Sequence, residues 1–428
     1  MVATAEEAVS HIKSGDRVVV GYAAGEPTEL LNVLCEQSLK RDLKDVFVYQ
    51  GMCLGDGRYS HPEYEGHIRA QVLFAAEGNR KAVWERRADF VGQHFSDING
   101  AYDTGVLTCD VFMTTMTPPD ERGYCSLGLE VDFAPYALRA AKYVIAAINP
   151  NMPLVYGENR FHVSEIDCFV ESDAPICEMK PFTDTDPVSR KIGGHIADLI
   201  EDGATLQMGT GKISNAVLKY LEDRRDLGVH TEVFSDNLRP LIEKGVVNGA
   251  KKNIDKGKIV ATMIQGSRQF YDYVDRNEMI LMMPSGYTNN PFNIAKNDKV
   301  VALNASIEVD LLGQVNSEAI GSKQFSGVGG QVDFLRGAAA SKGGKPVNLL
   351  PSTAKGGSVS RIRCCLEPGT PITVSRLDTH WVVTEYGAVN LLYKSLDERA
   401  KLLIGIAAPQ FREQLEREWF EYRKRMSL

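Results

Sequence analysis

The sequence predicts an α/β protein made of two similar open α/β domains with largely parallel sheets, and three observations carry that expectation. Short apolar runs that read as buried strands alternate along the chain with amphipathic helical stretches. The order helix, glycine, strand, glycine turn occurs twice: Gly15 corresponds to Gly203 and Gly21 to Gly209, a shift of 188 both times (203 minus 15, 209 minus 21). A length of 428 residues exceeds one ordinary core, which favours two domains.

In chain order, Thr4 and Glu7 have capping-box spacing, Ala8, Val9 and Ile12 follow at helical spacing, and Gly15 is placed to end that helix. RVVVGYAAG (17–25) reads as a buried strand running into a glycine-containing turn. In the second half Ile192, Ile196, Leu199 and Ile200 line one helix face, Gly203 stops it, ATLQMG is a strand and GTG the turn, with the next helix starting near Ser214 or Asn215. DERGYCSLG (120–128) and DLLGQVNSEAIG (310–321) share an Asp-x-x-Gly opening and a closing Gly. Each follows an apolar run, CDVFMTTM in one half and KVVALNASIEV in the other. The polar stretch KPFTDTDPVSRK (180–191), with Pro181 and Pro187, is the expected boundary between domains 1–185 and 186–428. The C-terminal stretch from Ser395 to Arg425 reads as helical with a break near Pro409.

Composition excludes several classes. With 43% hydrophobic and 24% charged residues the chain reads as a soluble globular protein, and a formal net charge of −8 argues against a general nucleic-acid binder. Eight scattered cysteines form no C-x-x-C pair, and adjacent Cys364 and Cys365 do not suit one metal ion, so no metal site is expected. They read as buried small side chains in a reducing compartment. No secretory or transit pattern opens the chain and no uncharged apolar run reaches membrane-spanning length, so a cytoplasmic location is expected.

Three stretches could carry chemistry. Gly209 and Gly211 lie between a strand and a helix, where glycines admit a ligand to the backbone and free N–H groups attract anions, although neither the dinucleotide fingerprint nor a P-loop is present. The next strand, VHTEVF, places His230, Glu232 and Phe234 on one face and Val229, Thr231 and Val233 on the other. Seen alone, Glu232 reads first as an edge-strand surface residue or the partner of a buried arginine. If the two strands are neighbours, the Gly209 turn and the carboxylate meet beyond the strand ends. QFSGVGGQVDFLRGAAASKGGKPVNLLPSTAKGG (324–357) concentrates glycines with Lys342, Lys345 and Lys355, a composition that can present backbone donors to an oxyanion or phosphate. His230 is expected to pack or hydrogen-bond. SGYTNNPFNIAKND (285–298) is too polar for core and too structured for a linker.

Taken together, LGVHTEVFSDN, SGYTNNPFNIAKND, EVDLLGQVNSEAIG, QFSGVGGQVDFLRGAAASKGGK and the VVTEYGAVNLLYKSLDERAKLLIGIAAPQFREQL run closely resemble the acetyl-CoA hydrolase/transferase family. The likeness is nearest its 4-hydroxybutyrate and butyrate:acetate CoA-transferase members, and SGDRVVVGYAAGEP and AAINPNMPLVYG extend it through the first half. The resemblance implies two CoA-transferase-fold domains with the active site at their interface, no prosthetic group or metal, coenzyme A and acyl-CoA as substrates with short-chain carboxylates, and a homodimer or homotetramer. It implies Glu232 as nucleophile, forming a glutamyl-CoA thioester in a ping-pong transfer. Gly329 and Gly330 would stabilise the oxyanion. Gln207, Met208, Gly209, Thr210, Gly211 and Val328 would contact CoA, with Gln331 in the same loop and Lys355 chosen for a CoA phosphate. Acetyl-CoA hydrolysis on the same glutamate is the alternative. A CoA-binding regulator and a sugar-phosphate isomerase are competing classes against which the Glu232 motif weighs. Most members of the family have Gly after the Ser-Asp where this chain has Asn237, a residue that tolerates left-handed backbone. Met52–Pro62 and Tyr124–Gly128 are the substrate-pocket candidates.

Overall fold

The computed structural model describes residues 2–180 and 186–426. Strands β1 (Arg17–Val20), β2 (Val46–Met52), β3 (Ile68–Phe74), β4 (Ala88–Phe90), β5 (Cys109–Met116), β6 (Ala141–Ile148) and β7 (Cys168–Glu171) form one parallel sheet, in the order β4-β3-β2-β1-β5-β6-β7. The second sheet comprises β8 (Thr205–Met208), β9 (Gly228–His230), β10 (Ile259–Ala261), β11 (Ile280–Met282), β12 (Val300–Ala305), β13 (Lys345–Leu349), β14 (Trp381–Thr384) and β15 (Gly387–Asn390). Its order is β11-β10-β9-β8-β12-β13-β14-β15, with only the β14–β15 pair antiparallel among the described residues.

The two orders are the same plan. In each sheet the first strand is central, three successors step to one side, and the next strand crosses to the other side, at β1/β5 and again at β8/β12. β1 and β8 are themselves 188 residues apart at both ends (205 minus 17, 208 minus 20). Ligands in such sheets sit beyond the carboxyl ends of the strands at this point of reversal.

Alternation explains why β1 can be apolar throughout. Val18 and Val20 join a core on one face of the sheet, and Val19 joins a second core on the other. A strand covered on both faces gains about 1.5–3 kcal/mol for each buried valine whichever way it points. Five of the eight cysteines are buried and all eight are free.

Local signals placed the helices with some shifts at their ends. Thr4 and Glu7 form the expected capping box, but the helix Ala5–Val9 ends at Ser10, and Gly15, with φ of 84°, makes the turn into β1. The helix Pro187–Ala197 starts where Asp186 accepts the Val188 and Ser189 N–H groups. It stops at Ala197, so Leu199 and Ile200 reach the core from the following turn rather than from the helix. The next helix begins at Lys212, two or three residues before its expected start. The C-terminal pair, Leu396–Gly405 and Pro409–Met426, breaks where Pro409 was expected to break it. The expected boundary at 185/186 abuts residues 181–185, which lie outside the described residues. No described helix is long and apolar enough to cross a membrane.

Main-chain bonds join the halves beside the end of β9. Val131 N donates to Thr262 O (2.9 Å) and Ile264 N to Leu129 O (2.8 Å), while Ala75 N reaches Ser326 O (3.3 Å).

Candidate active site

The strand expected through Phe234 is interrupted. β9 ends at His230, the chain bends at Glu232, and Val233–Ser235 resumes as a separate strand paired with Met263–Gln265. The ladder is redirected here: the Thr231 hydroxyl donates to Met208 O (3.0 Å), and the N–H groups of Thr262 and Met263 both donate to Glu232 O (3.1 and 3.0 Å). The alternating-face pattern therefore fails at the residue that carries the charge.

Glu232 opens onto a cleft of about 230 Å³ at the β8/β12 point of reversal. Gln207, Met208, Gly209 and Thr210 line one wall, and Val328, Gly329, Gly330 and Gln331 another, with Phe74 of the first half among the lining residues. Gly211 follows as the residue capping helix Lys212–Leu218, outside the lining. Lys355 is not brought in: it is exposed on a short turn, Lys355–Gly357. Lys345 is likewise elsewhere, paired with Glu201 at 2.7 Å. Only the first part of the glycine-rich run belongs to the cleft.

Gly330 has a specific steric reason. A Cβ there would stand 2.1 Å from Glu232 Oε2 and 2.2 Å from Asn289 Nδ2, so the carboxylate occupies the space a side chain would take. Gly329, with φ of 55°, makes the turn, and Gly330 caps the helix Gln331–Ala340, whose positive N-terminal end favours an anion.

Asn289, from the polar stretch that carried no pattern of its own, donates from Nδ2 to Glu232 Oε2 at 2.6 Å. Burial pushes the Glu232 carboxyl up to about 7, opposed by the Asn289 hydrogen bond and reinforced by Asp333 and Asp132; the Gly330 main chain also opposes it. Asp333 is anchored across the two halves, accepting from Ser96 N (3.0 Å) and the Ser96 hydroxyl (2.8 Å). Asn289, Asp333 and Asp132 were not legible as site residues because each lies far from Glu232 in the chain.

His230 does pack: its Nε2 lies 2.8 Å from Thr288 O, and burial pushes its pKa down to about 3, which keeps it neutral. Asn237 sits in the 3-10 turn Asp236–Leu238 and is absent from the residues with positive φ, so its tolerance of left-handed backbone is not used. Met52 to Pro62 supply much of a separate cleft of about 720 Å³, whereas Tyr124–Ser126 forms a small strand against Arg160–His162.

Removing the Asn289 donor has a calculable result. Asn289→Ala forfeits a hydrogen bond to a charged group worth about 1.5–3 kcal/mol, which is about 10- to 100-fold in any rate that depends on the orientation of this carboxylate. That donor stabilises the charged form, so its loss shifts the acid limb of the kcat/KM profile to higher pH. An unchanged profile would refute the role.

The family models decide what the site belongs to. The N-terminal domain of acetyl-CoA hydrolase/transferase matches residues 1–179, and the C-terminal domain of the same family matches residues 266–419. The chain belongs to the acetyl-CoA hydrolase/transferase family. The 4-hydroxybutyrate coenzyme A transferase of Clostridium kluyveri is 44% identical, aligned over 97% of this chain and 96% of that protein. The crystal structure of RipA from Yersinia pestis superposes with a TM-score of 0.92 at 38% identity, covering 100% of this chain and 97% of that one. A 4-hydroxybutyrate CoA-transferase from Porphyromonas gingivalis gives 0.83 at 37% identity, over 99% and 97%. The expected α/β class and family are thus borne out, and this member of the family is an enzyme of the CoA-transferase type that uses acyl-CoA.

Proposed function

We propose that the enzyme moves CoA between acetyl-CoA and a short-chain carboxylate, 4-hydroxybutyrate or butyrate, through a thioester on Glu232. The observation that carries the reading is a half-buried carboxylate at the mouth of a glycine-lined cleft, with its space reserved by Gly330. The acid chemistry is drawn from the relatives' substrates.

A carboxylate oxygen of Glu232 attacks the acyl-CoA carbonyl, the C–S bond breaks, and CoA leaves as the thiolate with a mixed anhydride on Glu232. The thiolate then attacks the Glu232 carbonyl carbon and expels the first acid as its carboxylate, leaving glutamyl-CoA. The second carboxylate reverses both steps, and no net proton is consumed. Covalent catalysis here replaces one exchange between poor nucleophiles by easier stages. Each addition builds an oxyanion, and the Gly329 and Gly330 main chain at the start of the helix, where Gly330 already favours the charged form of Glu232, is assigned as its donor. One such donor is worth about 3 kcal/mol. Gln207 to Gly211 and Val328 are assigned to the CoA arm. Lys355, expected at a CoA phosphate, does not line this cleft and is not part of the proposed site.

Attack requires the ionised carboxyl. With the Glu232 pKa raised to about 7, kcat/KM falls as pH drops through that value.

The test incubates the purified protein with acetyl-CoA and a panel of carboxylates, following acyl-CoA exchange and free thiol together. Exchange with 4-hydroxybutyrate or butyrate supports the transferase. Thiol release without exchange for any acid supports the hydrolase, in which water takes the place of the second carboxylate.

A further inference from the structure

Glu130 and Asp132 are 0% exposed, yet neither Glu130 oxygen nor Asp132 Oδ2 has a partner at full hydrogen-bond geometry, the Tyr22 main chain giving Glu130 only a partial one. The two side chains face one another. The titratable groups around them are Tyr22, Tyr49, Tyr102 and Glu232, none of which is cationic. Two buried carboxylates without a cation would cost several kcal/mol each. One shared proton removes that conflict and satisfies the facing oxygens together.

Local donors say which acid keeps the charge. Burial raises both carboxyls, Glu130 well above the usual carboxylate range and Asp132 to about 7; the Phe133 N–H donates to Asp132 Oδ1 and the Ala134 main chain also favours its charged form, against one main-chain bond from Tyr22 that favours charged Glu130. Glu130 therefore holds the proton. Its carboxyl has a reserved place: a Cβ on Gly25 would stand 2.6 Å from Glu130 Oε2.

The pair is one main-chain step from the site. Val131 and Asp132 N–H groups donate to Thr262 O (2.9 and 3.4 Å), and Thr262 N donates to Glu232 O (3.1 Å). Burial, then Glu232, Asp132 and Glu130 in turn, raise the Tyr22 hydroxyl, which lies among all three acids. Asp333 adds to the effect of Asp132 on Glu232.

We propose that Glu130 and Asp132 share one proton and hold their remaining negative charge behind Glu232, so that the first half sets the proton affinity of the carboxylate in the second. The charge repels ionised Glu232 but not an uncharged acyl or thioester form. The pair thus favours the covalent intermediate, a consequence that rests on the nucleophile reading above. Both acids are positioning residues, acting through Glu232.

The test compares Asp132→Asn with Glu130→Gln. Asp132→Asn deletes the charge and is expected to move the acid limb of kcat/KM down by about 1 pH unit, the scale of one close buried charge, and to lower the steady-state fraction of thioester. Glu130→Gln donates to Asp132 as the protonated acid does, and is expected to leave the limb in place. A purely structural role would not separate the two variants. Carboxyl-selective carbon-13 NMR of the unsubstituted protein, with Glu and Asp labelled at the carboxyl carbon, reads the pair directly and needs no covalent chemistry. A Glu130 signal that stays protonated through neutral pH supports the proposal even if Glu232 proves not to be acylated. Two ionised carboxylates at neutral pH, or an Asp132→Asn limb and Glu232 midpoint that do not move, overturn it.

Discussion

Glu232→Gln is expected to lower CoA exchange by on the order of 10⁴-fold or more, the scale found when a covalent nucleophile is removed. The amide is nearly the same size as the carboxylate and can still meet Asn289, which holds the acid at 2.6 Å, so the fold and the cleft should persist. What is lost is the ionised oxygen. Circular dichroism and the melting transition should therefore match those of the unsubstituted enzyme while exchange disappears. In the unsubstituted enzyme treated with acyl-CoA, peptide mass analysis should find CoA attached at Glu232, removable by a reducing hydride. An unmodified Glu232 peptide, or a variant that retains full exchange, would falsify the nucleophile assignment.

Gly330→Ala carries the second large effect, and its cause is steric rather than electronic. The backbone at Gly330, with φ of −91°, accepts any residue, so the new methyl adds no main-chain strain. It would, however, stand 2.1 Å from Glu232 Oε2 and 2.2 Å from Asn289 Nδ2, and the carboxylate or its amide partner must move. Displacement of a reacting group by about 1 Å costs on the order of 10²-fold. We expect that loss in kcat with a melting temperature close to the original. Gly329→Ala provides the contrast. There the Cβ would clear Glu232 Oε1 at 3.5 Å, but φ of 55° imposes a left-handed cost of roughly 1–2 kcal/mol. That variant should lose stability first. Equal activities for the two variants would remove the steric argument at Gly330.

These neighbouring glycines illustrate what was readable in advance. The glycine-rich loop and Glu232 both belonged to stretches long enough to resemble a known family, and the repeat was visible as a shift of 188 residues that β1 and β8 reproduce. Strand and helix patterns depend on near neighbours, through period-two alternation and capping spacing, so they survive translation into structure with end shifts of a few residues. Asn289 did not show itself in the same way. It lies 57 residues from Glu232 within a polar stretch without periodicity, and only the packing of its segment against the end of β9 makes it a partner. Asp132 and Asp333 reach the carboxylate from different parts of the chain for the same reason.

The sequence by itself determined the α/β class, the repeated strand plan, the family and the position of a carboxylate near a glycine turn. These follow from local pattern and from ordered motifs. Tertiary structure decided that the strand breaks at Glu232, that Lys355 lies outside the cleft, that Asn289 supports the acid, and that burial lifts its pKa to about 7. A charge's solvation and its neighbours are properties of the packed space around it, and that space is assembled from residues the chain keeps far apart.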